Sequence, residues 1–258
     1  MNGYQNRYVA FLDILGFSDL VAKSEADSAT FDKLIGITRG LAGTIKTIAA
    51  DYGALVDDQD IASTAFSDSI VISVPEPVDR NKTGCLYAMA FAVQGLCRQL
   101  LVDLGVLTRG GIARGPAYHK DGSLFGRAII DAYKLERDVA KVARIVVDQT
   151  VARHWADTFG NPRGLVALKD VIRHDHDGVP ILDLFHFPER DSIDKGTADF
   201  FWKAGPTLGR LLADKSLDTR ALMKIAWIAD HYNHASMLKR LPRCVPVAIP
   251  AGLRLRGA

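Results

Sequence analysis

The chain has 258 residues, 48% hydrophobic and 24% charged, with 32 Lys+Arg against 30 Asp+Glu for a net charge of +2. That length can bury a sizeable core, and the composition excludes wholesale disorder, collagen-like repeats and a small disulfide scaffold. The near-neutral balance gives no bulk attraction to nucleic acid or an anionic membrane, so neither is expected as a partner.

Cys85, Cys97 and Cys244 lack CxxC spacing and read as reduced, buried thiols of a cytoplasmic protein. No basic stretch leads into an apolar run at the N-terminus, and the apolar runs are short. Neither a signal peptide nor a membrane span is therefore expected.

In chain order, Tyr8-Val9-Ala10-Phe11-Leu12 is a compact β-type run that ends at Asp13. Ile14 to Ser18 turns the chain, and Ser28 to Ala50 carries apolar residues at helical spacing. Ala54 to Ala65 and Ser69 to Val74 read as a hairpin around Phe66-Ser67-Asp68. Thr83 to Leu104 is helical and apolar on most faces. Val106 to Tyr118 is a glycine-punctuated strand, with His119-Lys120-Asp121 as a turn after it. Phe125 to Val142 is helical in pattern, and Arg144 to Asp148 is a clear strand.

The fold class predicted is therefore α/β: a ferredoxin-like β-α-β-β-α-β core over residues 1–150. A mainly helical extension, 151–258, follows and packs on it. Helical patterns there run over Thr197 to Ala213 and Leu217 to Leu241, and Gly178 to Phe187 offers one added strand. His174-Asp175-His176-Asp177 reads as a solvated turn rather than a metal site.

Asp13 and Asp68 are the informative residues. Each closes or caps a strongly apolar strand, where an unpaired carboxylate would be costly to bury. In this topology the hairpin lies beside the first strand, so both carboxylates converge at one sheet edge and can hold Mg²⁺ or Mn²⁺. After Asp13 a helix begins. The amides of Leu15, Gly16 and Phe17 form a cradle for phosphate there, with Gly16 allowing close approach. Arg109, Arg114, Arg127 and Lys134 surround the glycine-rich strand and the next helix, as a source of positive charge for a triphosphate. Tyr52 is a candidate to stack on a base.

Four segments in order resemble the motifs of class III nucleotidyl cyclases over about residues 8 to 148. They are Phe11-Leu12-Asp13-Ile14-Leu15-Gly16-Phe17, then Phe66-Ser67-Asp68-Ser69-Ile70-Val71, then Arg109-Gly110-Gly111-Ile112 with Gly115-Pro116, and Gly126 with Ala132-Tyr133-Lys134-Leu135-Glu136. The resemblance implies a homodimer with its sites at the interface. It also implies two divalent ions held by Asp13, Asp68 and the Ile14 carbonyl, and attack of a 3′-hydroxyl on the α-phosphate of a nucleoside triphosphate. Lys134 and Arg127 would meet the developing charge from the partner subunit.

The purine cyclases' base-reading lysine aligns with Thr64 and their base-reading aspartate with Ser123. Their transition-state asparagine aligns with Ile130, and their arginine with Lys134. That pattern is similar to the bacterial pyrimidine cyclases of Pycsar anti-phage defence, and implies formation of cyclic UMP or cyclic CMP. The alternative reading is a catalytically inactive cyclase-like domain that binds a nucleotide or a protein, which Ile130 favours.

Overall fold

Along β1 (Gln5–Leu15), Tyr8, Ala10, Leu12 and Ile14 pack into one core, while Val9 and Phe11 pack on the opposite face. Side chains alternate along a strand, so Asp13 shares the face of Val9 and Phe11. The computed structural model describes residues 3–51, 61–77, 84–159, 166–187, 195–239, 241 and 244–253, with side chains for all of these except 38, 41–51 and 166–167. Tyr52, and the expected strand residues 54–60, lie outside the described residues.

β1 pairs antiparallel with β3 (Ser69–Pro75) on one side and with β4 (Leu107–Lys120) on the other. β2 (Ala62–Phe66) pairs antiparallel with β3, which gives the order β2-β3-β1-β4 expected of the ferredoxin-like core. β6 (Ile145–Val147) then joins β4 in parallel. From the C-terminal half, β8 (Pro180–Leu182) and β7 (Ile172–His174) continue the same sheet antiparallel. β5 (Ser123–Gly126) folds back on the end of β4. The sheet is mixed and eight-stranded.

On the first face lie α1 (Phe17–Ala26), α2 (Ser28–Asp51) and α3 (Gly84–Gln99), which runs on through a π-helical turn to Leu104. Gly84–Leu104 has the length and hydropathy of a membrane span, yet most of it is buried in this core, where Leu86, Met89, Val93 and Leu96 meet Leu12, Ile70 and Ile72. On the second face lies α4 (Arg127–Lys134), continued by a π-helical turn to Val139. Its Ala128 and Ala132 pack on Val9, Val71, Ala113 and Ala117. Gly111 lets α4 lie this close, because a Cβ there would strike the Ala132 carbonyl and the Leu135 side chain.

The C-terminal half adds α5 (Gln149–Phe159), α6 (Lys195–Leu212) and α7 (Thr219–Leu238). α6 and α7 share a second core built on Phe201, Ala204, Leu208, Trp227 and Tyr232. This is the α/β architecture with a helical C-terminal region that the hydrophobic pattern predicts.

Two expectations need correction. His119 is not in a turn: β4 runs through it, it is 5% exposed, and the turn falls at Asp121-Gly122. Both of those residues have positive φ, 51° and 75°, as a two-residue hairpin requires. The helix accordingly begins at Arg127 rather than Phe125. His174 to Asp177 is not simply a solvated turn either. Asp175 is buried and accepts from Arg144 at 2.6 Å, while Asp177 pairs with the same guanidinium at 2.8 Å. Arg144 thereby ties the start of β6 to the β7–β8 turn. Desolvation opposes the Asp175 charge, but hydrogen bonds from His176 and Arg144 outweigh it and hold the carboxyl below its usual range.

Candidate active site

Register places Asp13 and Asp68 on adjacent strands. Asp13 lies opposite Ser69 of β3, and the Ile14 amide donates to the Asp68 carbonyl at 2.8 Å. Asp68 therefore sits one residue beyond the ladder, in the Ser67-Asp68 turn that starts β3, and its charge acts on Asp13. On the other side Asp13 lies opposite Arg109 of β4. The Arg109 Nε donates to Asp13 Oδ2 at 2.9 Å and stands 2.5 Å from Glu136 Oε1.

Glu136 belongs to the π-helical turn after α4, and its side chain is only 5% exposed. A carboxylate so deep must find a cation. Arg109 is that cation for two acids at once. Burial pushes the Asp13 carboxyl up, Arg109 opposes this, and Asp68 adds to it as a like charge. The Glu136 carboxyl is raised in the same way, by burial first and then by Asp13 and Asp68 against Arg109.

Arg109 thus pairs two carboxylates, Asp13 and Glu136, while the charge of Asp68 acts on both and that of Lys224 acts on Asp13. A hard divalent cation suits these oxygen donors. Among the described residues no group of three or more His, Cys, Asp or Glu is gathered tightly enough to hold a metal alone. The fit therefore rests on the Asp13–Asp68 pair, with Ile14 between them in the ladder.

The neighbouring candidates fall as follows. Leu15 ends β1 opposite Leu107, Gly16 caps α1 in a left-handed conformation (φ 79°), and Phe17 opens α1 and packs into the core. Arg127 is 72% exposed and pairs with Asp131 one turn on, and Lys134 is exposed in the last turn of α4, where its charge acts on Asp138. Among the described residues, neither is joined to Asp13 or Asp68 by an ion pair.

Thr64 lies on β2, where its Oγ1 is 2.8 Å from His119 Nε2. The other ring nitrogen of His119 meets Ser73 Oγ at 2.9 Å, and Arg7 Nε donates to that same hydroxyl at 2.9 Å. Burial, with the nearby Arg7 charge, brings the His119 pKa down to about 4, so the ring is neutral at physiological pH.

From sequence alone, Arg109 has a role only as a source of positive charge for phosphate, and Glu136 stands inside a motif without a role. A signal for Glu136 was present. Ala128, Ala132 and Glu136 are spaced i, i+4, i+8, which puts a glutamate on the buried stripe of an otherwise small-residue helix face.

No family model matches the chain, and no curated protein matches it. Among solved structures, the chain is similar to an adenylate/guanylate cyclase/hydrolase from Silicibacter pomeroyi, at 21% identity over 69% of this chain and 94% of that one, with a TM-score of 0.40. It is also similar to a class III adenylyl cyclase-like ATP-binding protein from Pseudomonas aeruginosa, at 16% identity over 62% of this chain and 37% of that one, with a TM-score of 0.36.

Proposed function

We propose that the protein is a cytoplasmic, homodimeric nucleotidyl cyclase that converts UTP or CTP to the 3′,5′-cyclic nucleotide and pyrophosphate, as a signal in anti-phage defence. The observation that carries this reading is the placement of Asp13 and Asp68 on adjacent strands at the same end of the sheet, close enough for the Asp68 charge to act on Asp13. The motif resemblance, which includes the Ala132-Tyr133-Lys134-Leu135-Glu136 segment, supports the pyrimidine class and the signalling role.

Asp13 and Asp68, with the Ile14 carbonyl, would hold Mg²⁺ or Mn²⁺. Such ions, when bound, acidify a 3′-hydroxyl and neutralise a triphosphate. The chain's own contribution is position and charge. Arg109 fixes Asp13 against Glu136, so the carboxylate does not have to be ordered when substrate arrives. Gly16 keeps the β1–α1 turn free of a side chain where phosphate oxygens would approach. Lys134 and Arg127 are exposed, Arg127 paired with Asp131, and in a two-fold dimer would be the cations offered to the other subunit's site.

Phe125, Ile130 and Tyr133, all at least 39% exposed, put apolar surface around α4, which a dimer would cover. Light scattering at micromolar concentration is expected to report a dimer. A monomer that retains activity would remove the shared site from the proposal.

Base choice follows from Thr64 and Ser123. Where the resembled purine enzymes present a cation, this chain presents a hydroxyl already partnered by a neutral imidazole. A purine edge would leave polar groups unpaired, at about 1–3 kcal/mol each. Incubation with each of the four NTPs and Mn²⁺, with products identified by mass, is expected to yield cyclic UMP or cyclic CMP. Faster formation of cyclic AMP or cyclic GMP would overturn the base assignment.

A second reading is favoured by Ile130, which stands 50% exposed on α4 where the resembled enzymes place an asparagine. Tight binding of an NTP without any cyclic product in the same assay would establish an inactive nucleotide-binding domain.

A further inference from the structure

A cavity of about 220 Å³ separates the β1–α1 turn from the C-terminal helices. Leu15, Gly16 and Leu107 wall it on the sheet side, and Leu217, Lys224 and Ile225 close it from the α7 side. Its charged lining is Asp19, Lys23, Asp214 and Lys224. These four are not equivalent.

Asp214 is held in its own turn, accepting from the Ser216 amide at 2.9 Å and the Ser216 hydroxyl at 2.6 Å, and Lys23 is the lysine whose charge acts on it. Asp19 lies exposed on the first turn of α1. Lys224 is half-buried, and no ion pair among the described residues holds it. Its charge acts on Asp13. A half-buried ammonium with no directly paired carboxylate among the described residues, next to a turn that suits phosphate, is placed to take a polyphosphate as its partner.

We propose that Lys224 is a substrate-binding residue, an ammonium by which the C-terminal extension grips the terminal phosphates of a nucleoside triphosphate from within the same protomer. The nucleoside part of that ligand rests on the cyclase reading, whereas the polyphosphate part rests on the cavity and its lysine. α7 thereby supplies a cation in cis, alongside any that a second subunit presents in trans. The helical extension becomes part of the site rather than a cover for the sheet.

The test is calorimetric titration of the full chain with inorganic tripolyphosphate and Mg²⁺, for wild type, Lys224→Met, Lys224→Arg and Lys23→Met. Lys224→Met is expected to weaken binding roughly 10- to 100-fold, the range of one charge-assisted contact. Lys224→Arg should retain most of the affinity, and Lys23→Met should bind as wild type does. Thermal melts identify any unfolded variant, and Lys224→Gln replaces Lys224→Met if the latter does not fold. Equal binding by wild type and Lys224→Met overturns the proposal, as does an equal loss in Lys23→Met, or a wild type that does not bind tripolyphosphate. Lys224-dependent binding with no NTP cyclised upholds the lysine's role and removes the cyclase reading. Cyclase activity with an unchanged KM in Lys224→Met does the reverse.

Discussion

Asp68→Ala is expected to lower the rate of cyclic nucleotide formation by about 10³-fold or more while leaving the chain folded, and Asp13→Asn is expected to do the same. The size follows from the several kcal/mol of charge stabilisation that a bound divalent ion supplies, at about 1.4 kcal/mol per tenfold in rate. Asp68 tolerates truncation because it lies half-exposed at a hairpin turn, and its structural contribution is a backbone carbonyl that alanine keeps. Asp13→Asn keeps the shape of the side chain opposite Arg109 and removes only its charge. Mass-resolved product rates test the chemistry, and the shift of the melting temperature with Mn²⁺ tests the ion. Wild type should be stabilised by Mn²⁺ and both variants much less so. An Asp68→Ala protein that cyclises at the wild-type rate would remove Asp68 from the site.

Arg109→Met should have its largest effect on stability, and the effect should depend on pH. In wild type the Asp13 and Glu136 carboxyls are both raised, by burial above all, so each contributes most to stability in its protonated form. That contribution is complete below the ordinary carboxylate values near 4 and is lost as pH rises through the raised folded-state values. Arg109 limits the loss at neutral pH. Removing it leaves two half-buried or buried carboxylates facing each other with Asp68 nearby, at a cost of about 3–5 kcal/mol. Urea midpoints at pH 7 and pH 4.5 should therefore differ from wild type by a large step at the higher pH and a smaller one at the lower. Equal steps at both would show that Arg109 acts through packing rather than charge.

The core strands were legible because their apolar runs alternate or break at Gly, Pro and Asp, and both faces of β1 could be assigned from period two alone. Asp13 and Asp68 stood out for the same reason, since each interrupts an apolar run where burial of a charge is costly. The order of β1, β2 and β3 then put them on adjacent strands.

Long-range pairing was not legible. Arg144 and Asp175 are 31 residues apart, and nothing local to His174–Asp177 shows that a guanidinium reaches into it. His119 is similar: its partners Thr64 and Ser73 come from other strands. The Asp121-Gly122 pair, by contrast, was a local turn signal that would have placed the β4–β5 hairpin and kept His119 in a strand. Lys224 becomes visible only once α7 is folded against the β1–α1 turn.

The sheet's passage from β4 through β6 into β8 and β7 bears on how the chain comes off the ribosome. Ile145, Val146 and Val147 are at most 1% exposed, and among the described residues one side of their strand is closed by Ile181 and Leu182 of β8. Until those residues emerge, the nascent chain carries a short, wholly apolar open edge, with Arg144 awaiting Asp175. Such an edge is a template for pairing with another chain. Slow translation between residues 147 and 182 would prolong that exposure, and a terminus cut back to residue 150 would make it permanent.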